Sequence, residues 1–143
     1  MFRLLVIANR TCPCPALLNL VEERTRLESD HMVGVVAPAL NSRLRHLLSD
    51  VDEAVQAAAG RLDQAVTHLT EAGVNAVGEV GDSDPMLAIE DALSLFPADE
   101  VIISTLPHEH SNWLERGLIE RARAVLDVPV HHEVSRYGIS VPA

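Results

Sequence analysis

The sequence predicts a three-layer α/β domain in which helices cover both faces of a parallel sheet. Short apolar runs alternate along the chain with longer segments whose apolar residues recur at helical spacing. Aromatic residues make up only 3% of a chain that is 48% hydrophobic, so aliphatic packing between helices and strands must fill the core. Regular alternation of strand and helix implies parallel strands joined by right-handed crossovers, a Rossmann-like arrangement.

Five segments have the composition of buried strands. The first, Leu4–Ala8, is a continuous apolar run that ends at polar residues, as expected for a strand covered on both faces. Met32–Ala37 repeats this pattern, and we expect Pro38 to stop it because proline cannot donate to a sheet ladder. The other three strands are predicted at Val74–Val80, Val101–Ile103 and Val128–Val134.

Along the sequence, the first predicted helix precedes the second strand and the second helix follows it. Pro15 suits the first turn of helix 1, whose apolar stripe extends to Leu27. Helix 2 starts near Asp50 and ends at Gly73, where glycine favours a left-handed C-cap. Gly60 lies inside this stripe and lowers the helix propensity there.

Two further helices precede strands 4 and 5. Pro85 occupies the first turn of helix 3, which any of Asp82, Ser83 and Asp84 can cap. Helix 4 is predicted at Trp113–Val125, where Trp113 serves as an apolar anchor or stacks on a base. We take residues 1–134 as one domain and the last nine residues, Ser135–Ala143, as a C-terminal tail.

Charge and composition exclude several classes of function. The formal net charge of -10 repels nucleic-acid backbones and anionic lipid. All eleven Lys and Arg residues are arginine, which excludes Schiff-base chemistry and the lysine of a Walker A loop. The apolar start of the chain is too short to span a bilayer and has no signal-peptide cleavage site. With two cysteines and no disulfide framework, we expect a cytoplasmic protein.

Three segments resemble universal stress proteins. Val101–Val134 is similar to the C-terminal part of that family, Gly81–Ala92 to its Gly-Asp-x-x-Pro turn, and Ala98–Ser104 to its approach to strand 4. The resemblance extends in spacing over nearly the whole chain. It implies the family's adenine nucleotide alpha hydrolase-like sheet, with strand order 3-2-1-4-5. It also implies a non-catalytic, regulatory stress-response function and a homodimer formed through strand 5.

ATP-binding members of that family carry a glycine motif just after strand 4, and this chain keeps its spacing but not its glycines. Ser104 and Pro107 take the first two glycine positions, Gly117 the third, and Leu118 the position of a hydroxyl residue. Pro107 removes a backbone donor from the triphosphate cradle, and Leu118 removes a hydroxyl. Asn9 replaces the Asp that often faces the adenine and ribose. The resemblance therefore implies that ATP or another adenine nucleotide binds in an altered manner, if at all.

The candidate ligand site lies where strands 1 and 4 end, because ligands of open parallel sheets bind at the carboxyl ends of the strands. Free backbone donors at a helix start favour an anion there. In the alternative interpretation, Ser111 or Asn112 caps helix 4 and the nearby arginines pair with carboxylates. The residues expected at the site are Asn9, Arg10, Ala37, Ser104, Thr105, Pro107, Ser111, Asn112, Arg116, Gly117 and Leu118.

Cysteine and histidine residues give a rival site at the same edge of the sheet. A metal or redox site would combine Cys12 and Cys14 with His108 and His110, although nothing in the spacing requires it and two ordinary thiols are the favoured interpretation. His131 and His132 point to opposite faces of strand 5 and cannot chelate together within one chain.

We assign no catalytic residue. Glu109 lies between two histidines, but neither a nucleophile with an orienting group nor a metal motif accompanies it. Three hypotheses remain: a regulatory module that binds a nucleotide or small anion, a ligand-free homodimeric interaction module, and a Cys/His metal- or redox-responsive protein.

Overall fold

The sheet has five parallel strands in the order β3-β2-β1-β4-β5. The computed structural model describes residues 1–8, 14–38, 51–82, 84–105 and 117–134. The predicted three-layer fold and strand order are confirmed. The strands are β1 Phe2–Ile7, β2 His31–Pro38, β3 Ala76–Gly81, β4 Glu100–Thr105 and β5 Val130–Val134. The helices of the described residues are α1 Pro15–Thr25, α2 Val51–Glu71, α3 Pro85–Leu95 and α4 Leu118–Val125.

Each face of the sheet has its own hydrophobic core. Helices α1 and α2 cover one face, here called the α1/α2 face, and Val6 of β1 and Ile102 of β4 lie in its core. The other face, the α3/α4 face, contains the next residues along each strand, Ile7 and Ile103. Successive side chains of a strand point to opposite faces. The middle segments of the central strands, such as Leu4–Ile7 and Val101–Ile103, are therefore apolar because both of their faces are buried.

The bounds of all five strands differ from the prediction by one or two residues at one or both ends, and β1 and β2 show the reasons. β1 begins at Phe2 instead of Leu4, and the backbone N–H of Phe2 donates to the carbonyl of Asp30 at 3.0 Å. Pro38 was expected to stop strand 2 from outside, but it is the last residue of β2 and pairs with Gly81. A missing N–H is tolerated at the end of a strand.

The prediction that Leu27 belongs to the apolar stripe of helix 1 is wrong. α1 ends at Thr25, whose hydroxyl donates to the carbonyl of Val21 at 3.0 Å. The chain then turns, with the N–H of Glu28 donating to the Thr25 carbonyl, and Leu27 is 92% exposed. Helical spacing in the sequence continues past the point where the backbone leaves the helix.

The caps of α2 and α3 agree with the sequence. Gly73 has a left-handed φ of 90°, and α2 runs without interruption through Gly60. Of the three candidate caps for α3, Asp84 is the N-cap, and its Oδ1 accepts a hydrogen bond of 3.0 Å from the N–H of Met86. No helix in the described part of the chain is long and apolar enough to cross a membrane. Trp113 and the tail Ser135–Ala143 lie outside the described residues.

Candidate functional site

The order of the strands reverses between β1 and β4, which makes their carboxyl ends the expected place for a ligand. β1 pairs with β2 on one side and with β4 on the other, and Ile7 lies opposite Ile103. The helix that follows β1 covers one face of the sheet, whereas α4, which follows β4 along the chain, covers the other. Connections that diverge in this way leave a crevice at the edge of a parallel sheet.

Ser104 and Thr105 form the end of β4 and are both buried. Ser104 follows Ile103 and so points to the α1/α2 face, whereas Thr105 points to the α3/α4 face. The Thr105 hydroxyl shares a hydrogen bond of 2.7 Å with Nε2 of His132 on β5. Ala37, at the end of β2, is buried in the α1/α2 core. Backbone atoms and two short hydroxyl side chains therefore form this part of the site.

Gly117 and Leu118 occupy the start of α4. Gly117 is the N-cap, with a left-handed φ of 72°, and its carbonyl accepts from the N–H of Arg121 at 3.2 Å. This backbone conformation explains why glycine is retained at the third position of the motif. Leu118 is only 1% exposed and lies in the α3/α4 core with Ile89. The position of the family's hydroxyl residue thus holds a core side chain in this chain.

Several predicted site residues lie outside the described part of the chain. They are Asn9, Arg10, Pro107, Ser111, Asn112 and Arg116, together with Cys12, His108 and His110 of the alternative metal site. Their assignment to the site stays a prediction.

Cys14, the remaining member of the Cys/His set, is a buried core residue. It is the N-cap of α1 without a side-chain capping bond, and its carbonyl accepts from the N–H of Leu18 at 3.0 Å. Its side chain lies in the α1/α2 core. Within the described ranges, no group of three or more His, Cys, Asp or Glu side chains is placed to hold a metal ion. This environment is typical of an ordinary buried thiol.

His131 and His132 point to opposite faces of β5, as the sequence predicted. His131 lies on the α1/α2 face, with Nε2 3.3 Å from a carboxylate oxygen of Glu100. The Arg24 guanidinium binds the same carboxylate through two nitrogens and lies 5.6 Å from the centre of the Phe2 ring. Arg24 and Glu100 are 76 residues apart, so no sequence pattern indicated this cluster.

The site environment lowers the pKa of His132. Burial is the largest cause, and the positive charge of Arg123 acts in the same direction, whereas Glu120 and Glu133 oppose the shift. Arg123 is held close to β5 because its guanidinium donates to the carbonyl of Val130 at 3.3 Å. The folded protein therefore favours the neutral imidazole beside Thr105.

This shift predicts a pH-dependent contribution to stability. Between the lowered pKa and the ordinary histidine value of about 6.5, the folded state binds fewer protons than the unfolded chain at His132. The free energy of unfolding therefore falls as the pH drops through this window. In an NMR titration of the imidazole, we expect a midpoint below 6.5 that Arg123→Gln raises and Glu120→Gln lowers further. Arg121→Gln, on an exposed arginine of the same helix, is the control. A wild-type midpoint above the ordinary value would contradict the assignment.

Comparison with known proteins gives one informative kind of match. No protein-family model matches the sequence, and a search of curated proteins finds no significant match. Among solved structures, the chain is similar to the structure of a universal stress protein from Archaeoglobus fulgidus, with a TM-score of 0.66 and 18% sequence identity. The match covers 92% of this chain and 93% of that chain. The chain therefore has the fold of a universal stress protein, as the resemblance in sequence implied.

Proposed function

We propose that this chain is a non-catalytic regulatory module of the universal stress protein kind, with a site for a nucleotide or small anion at the carboxyl ends of β1 and β4. The observation that supports this proposal most directly is the reversal of strand order between these two strands. A fold by itself does not determine a function, so the residues at that crevice must support the proposed ligand.

The residues at the site favour a weaker or different ligand interaction than a full triphosphate cradle. Gly117 leaves backbone space at the start of α4, but Leu118 offers no hydroxyl because its side chain is part of the core. Thr105 is only 6% exposed and is hydrogen-bonded to His132, so we interpret this pair as a link between β4 and β5 and not as a nucleophile with its base. The module is therefore proposed to act by binding.

Calorimetric titration of the full chain with ATP, AMP, cyclic nucleotides and inorganic phosphate tests this proposal. We expect saturable binding of at least one of them. Thr105→Val should weaken it severalfold, because the variant removes the hydrogen bond to His132 that positions the end of β4 beside the crevice. Thr25→Val is the matched control, because Thr25 is also a buried threonine but lies at the C-terminal end of α1, near the amino ends of the strands. No heat from any ligand, with the protein folded, would overturn the proposed ligand site.

A ligand-free homodimeric module is the second candidate, and the exposed edge of β5 favours it. β5 pairs with β4 along one side, and none of the described strands pairs with its other side. Val134 is exposed and Val130 is only partly buried at this edge. An unpaired edge of this kind is a ready template for the same strand of a second chain.

Sedimentation equilibrium separates the dimer from the monomer. We expect a dimer for the wild-type chain and a monomer for Val134→Lys, because a lysine on an edge strand opposes pairing. Val125→Lys changes an exposed valine of α4 and serves as the control. A wild-type chain that stays monomeric at high protein concentration would contradict the dimer.

A further inference from the structure

The α3/α4 face leaves part of the edge strand β3 uncovered. A helix is about 10 Å wide and neighbouring strands are about 4.8 Å apart, so two helices cover roughly four strands of a sheet. This sheet has five. On each face, therefore, a strip of sheet about half a helix diameter wide stays uncovered at one edge. On the α3/α4 face this edge is β3, where Val77 is 51% exposed and Glu79 is exposed.

The corresponding edge of the other face is polar. There β5 presents His131, which lies against the carboxylate of Glu100 that also binds Arg24. Charged groups of the same chain thus satisfy one another at that edge, and water can cover them. The uncovered part of β3 differs because apolar side chains surround it.

A groove runs between α3 and β3 on this face. Asp91 and Leu95 follow Leu87 at intervals of four along α3, so the three lie on one side of the helix, and Leu95 is 80% exposed. Small residues keep the groove open, since a Cβ added at Gly34 would already contact the Phe96 ring at 3.4 Å. Its apolar lining includes Gly34, Val36, Val77, Ala92, Leu95 and Phe96.

Among the described residues that line the groove, the charged ones are all acidic. They are Glu79, Asp82 and Asp91, and the described lining contains no arginine or histidine. Three carboxylates in a described lining without arginine or histidine attract cations, and exposed apolar side chains next to them favour a partner that buries aliphatic surface. A partner that fits must therefore combine basic and aliphatic side chains on one surface.

We infer that this groove binds a basic amphipathic helix of a partner protein. Its aliphatic side chains, spaced three and four residues apart, would pack against Val77, Ala92 and Leu95, while its arginines or lysines face Glu79 and Asp91. The six residues of β3 extend about 20 Å, which matches a helix of about 14 residues. This interaction goes beyond the proposed ligand site. It also leaves the opposite edge, β5, available for a dimer.

A synthetic peptide tests the inference directly. The probe is a fluorescently labelled helix of about 14 residues, with leucines on one face and arginines flanking them. A second peptide of identical composition, with the leucines distributed around the helix, has the same charge and controls for attraction to an acidic protein. Binding is followed by fluorescence anisotropy with the full-length chain. We expect the patterned peptide to bind and the scrambled peptide to bind at least about tenfold more weakly.

Matched variants locate the binding surface. Leu95→Ser should weaken binding of the patterned peptide about tenfold, whereas Leu27→Ser, which alters another highly exposed leucine beyond α1, should leave it unchanged. Combined Glu79→Gln and Asp91→Asn should reduce the salt dependence of binding, and combined Glu23→Gln and Glu71→Gln, on exposed acids of α1 and α2, should not. All these positions are exposed, so the variants are expected to fold, which circular dichroism checks. Absent binding, equal binding of both peptides, or equal effects of Leu95→Ser and Leu27→Ser would overturn the inference.

Discussion

Replacing Leu118 by serine is expected to lower the free energy of unfolding by about 2–5 kcal/mol, although it restores the hydroxyl residue of the ATP-binding motif. The Leu118 side chain is 1% exposed and packs in the α3/α4 core. Serine would leave a cavity there and would bury a hydroxyl without an assigned partner, which adds to the loss. We therefore expect the variant to be less stable and to gain no affinity for ATP.

Urea denaturation measures the free energy of unfolding, and calorimetric titration measures the affinity for ATP. Leu118→Ala separates the cavity from the buried hydroxyl, because alanine removes the same aliphatic volume without adding a polar group. Val125→Ser, at an exposed position of the same helix, should change the free energy of unfolding by less than about 0.5 kcal/mol. A Leu118→Ser protein as stable as the wild type, or one with newly acquired ATP binding, would show that this residue faces the ligand site and not the core.

The sequence predicted the layers of the fold better than it predicted the contacts at the site. Continuous apolar runs identified β1 and β4 because strand segments buried on both faces are predominantly apolar. The resemblance to universal stress proteins supplied the strand order, which periodicity cannot provide. At the candidate site, the conformation of Gly117 agrees with the glycine of the motif. The same motif alignment placed Leu118 beside the ligand, whereas its spacing of four from Ala122, also buried, is that of a core-facing stripe.

The sequence patterns could not predict contacts between segments that are distant along the chain. The Thr105–His132 hydrogen bond depends on the register of β4 against β5, which the packing of both strands determines. Alternation within β5 predicted only that its two histidines diverge. The boundary error at Leu27 has a local cause, because helical spacing carries no information about where the backbone turns away.

The two edges of the sheet have different roles in this interpretation. β5 presents polar side chains and a backbone edge with which no described strand pairs, which suit pairing with a second copy of the chain. β3 presents a side-chain groove with an apolar floor and acidic residues, which suits a helix. The proposed ligand crevice lies between them, at the carboxyl ends of β1 and β4. The three proposed binding surfaces therefore lie at different places on the domain and do not overlap.

Gly81→Val is expected to destabilise the protein by about 1–3 kcal/mol, because α3 packs directly over this residue. A Cβ built on Gly81 would lie 2.8 Å from Cγ1 of Val36 and 2.9 Å from Cβ of Ala88. The Ala88 side chain has no other rotamer by which it could avoid this contact, so α3 itself would have to shift. That shift would also disturb the hydrogen bond by which Asp84 caps the helix.

Gly60→Ala is expected to stabilise the protein, in contrast to Gly81→Val. A Cβ at Gly60 meets nothing within 4 Å, and this residue lies inside α2, where alanine is favoured over glycine by about 0.5–1 kcal/mol. Urea denaturation should therefore move the midpoint up for Gly60→Ala and down for Gly81→Val. Gly81→Ala is the decisive intermediate variant. Replacing glycine by alanine ordinarily stabilises a strand, whereas at Gly81 the added Cβ would lie too close to Ala88. If Gly81→Ala stabilised the protein, α3 could not lie as close to β3 as the structure places it, and the width of the groove between them would have to be revised.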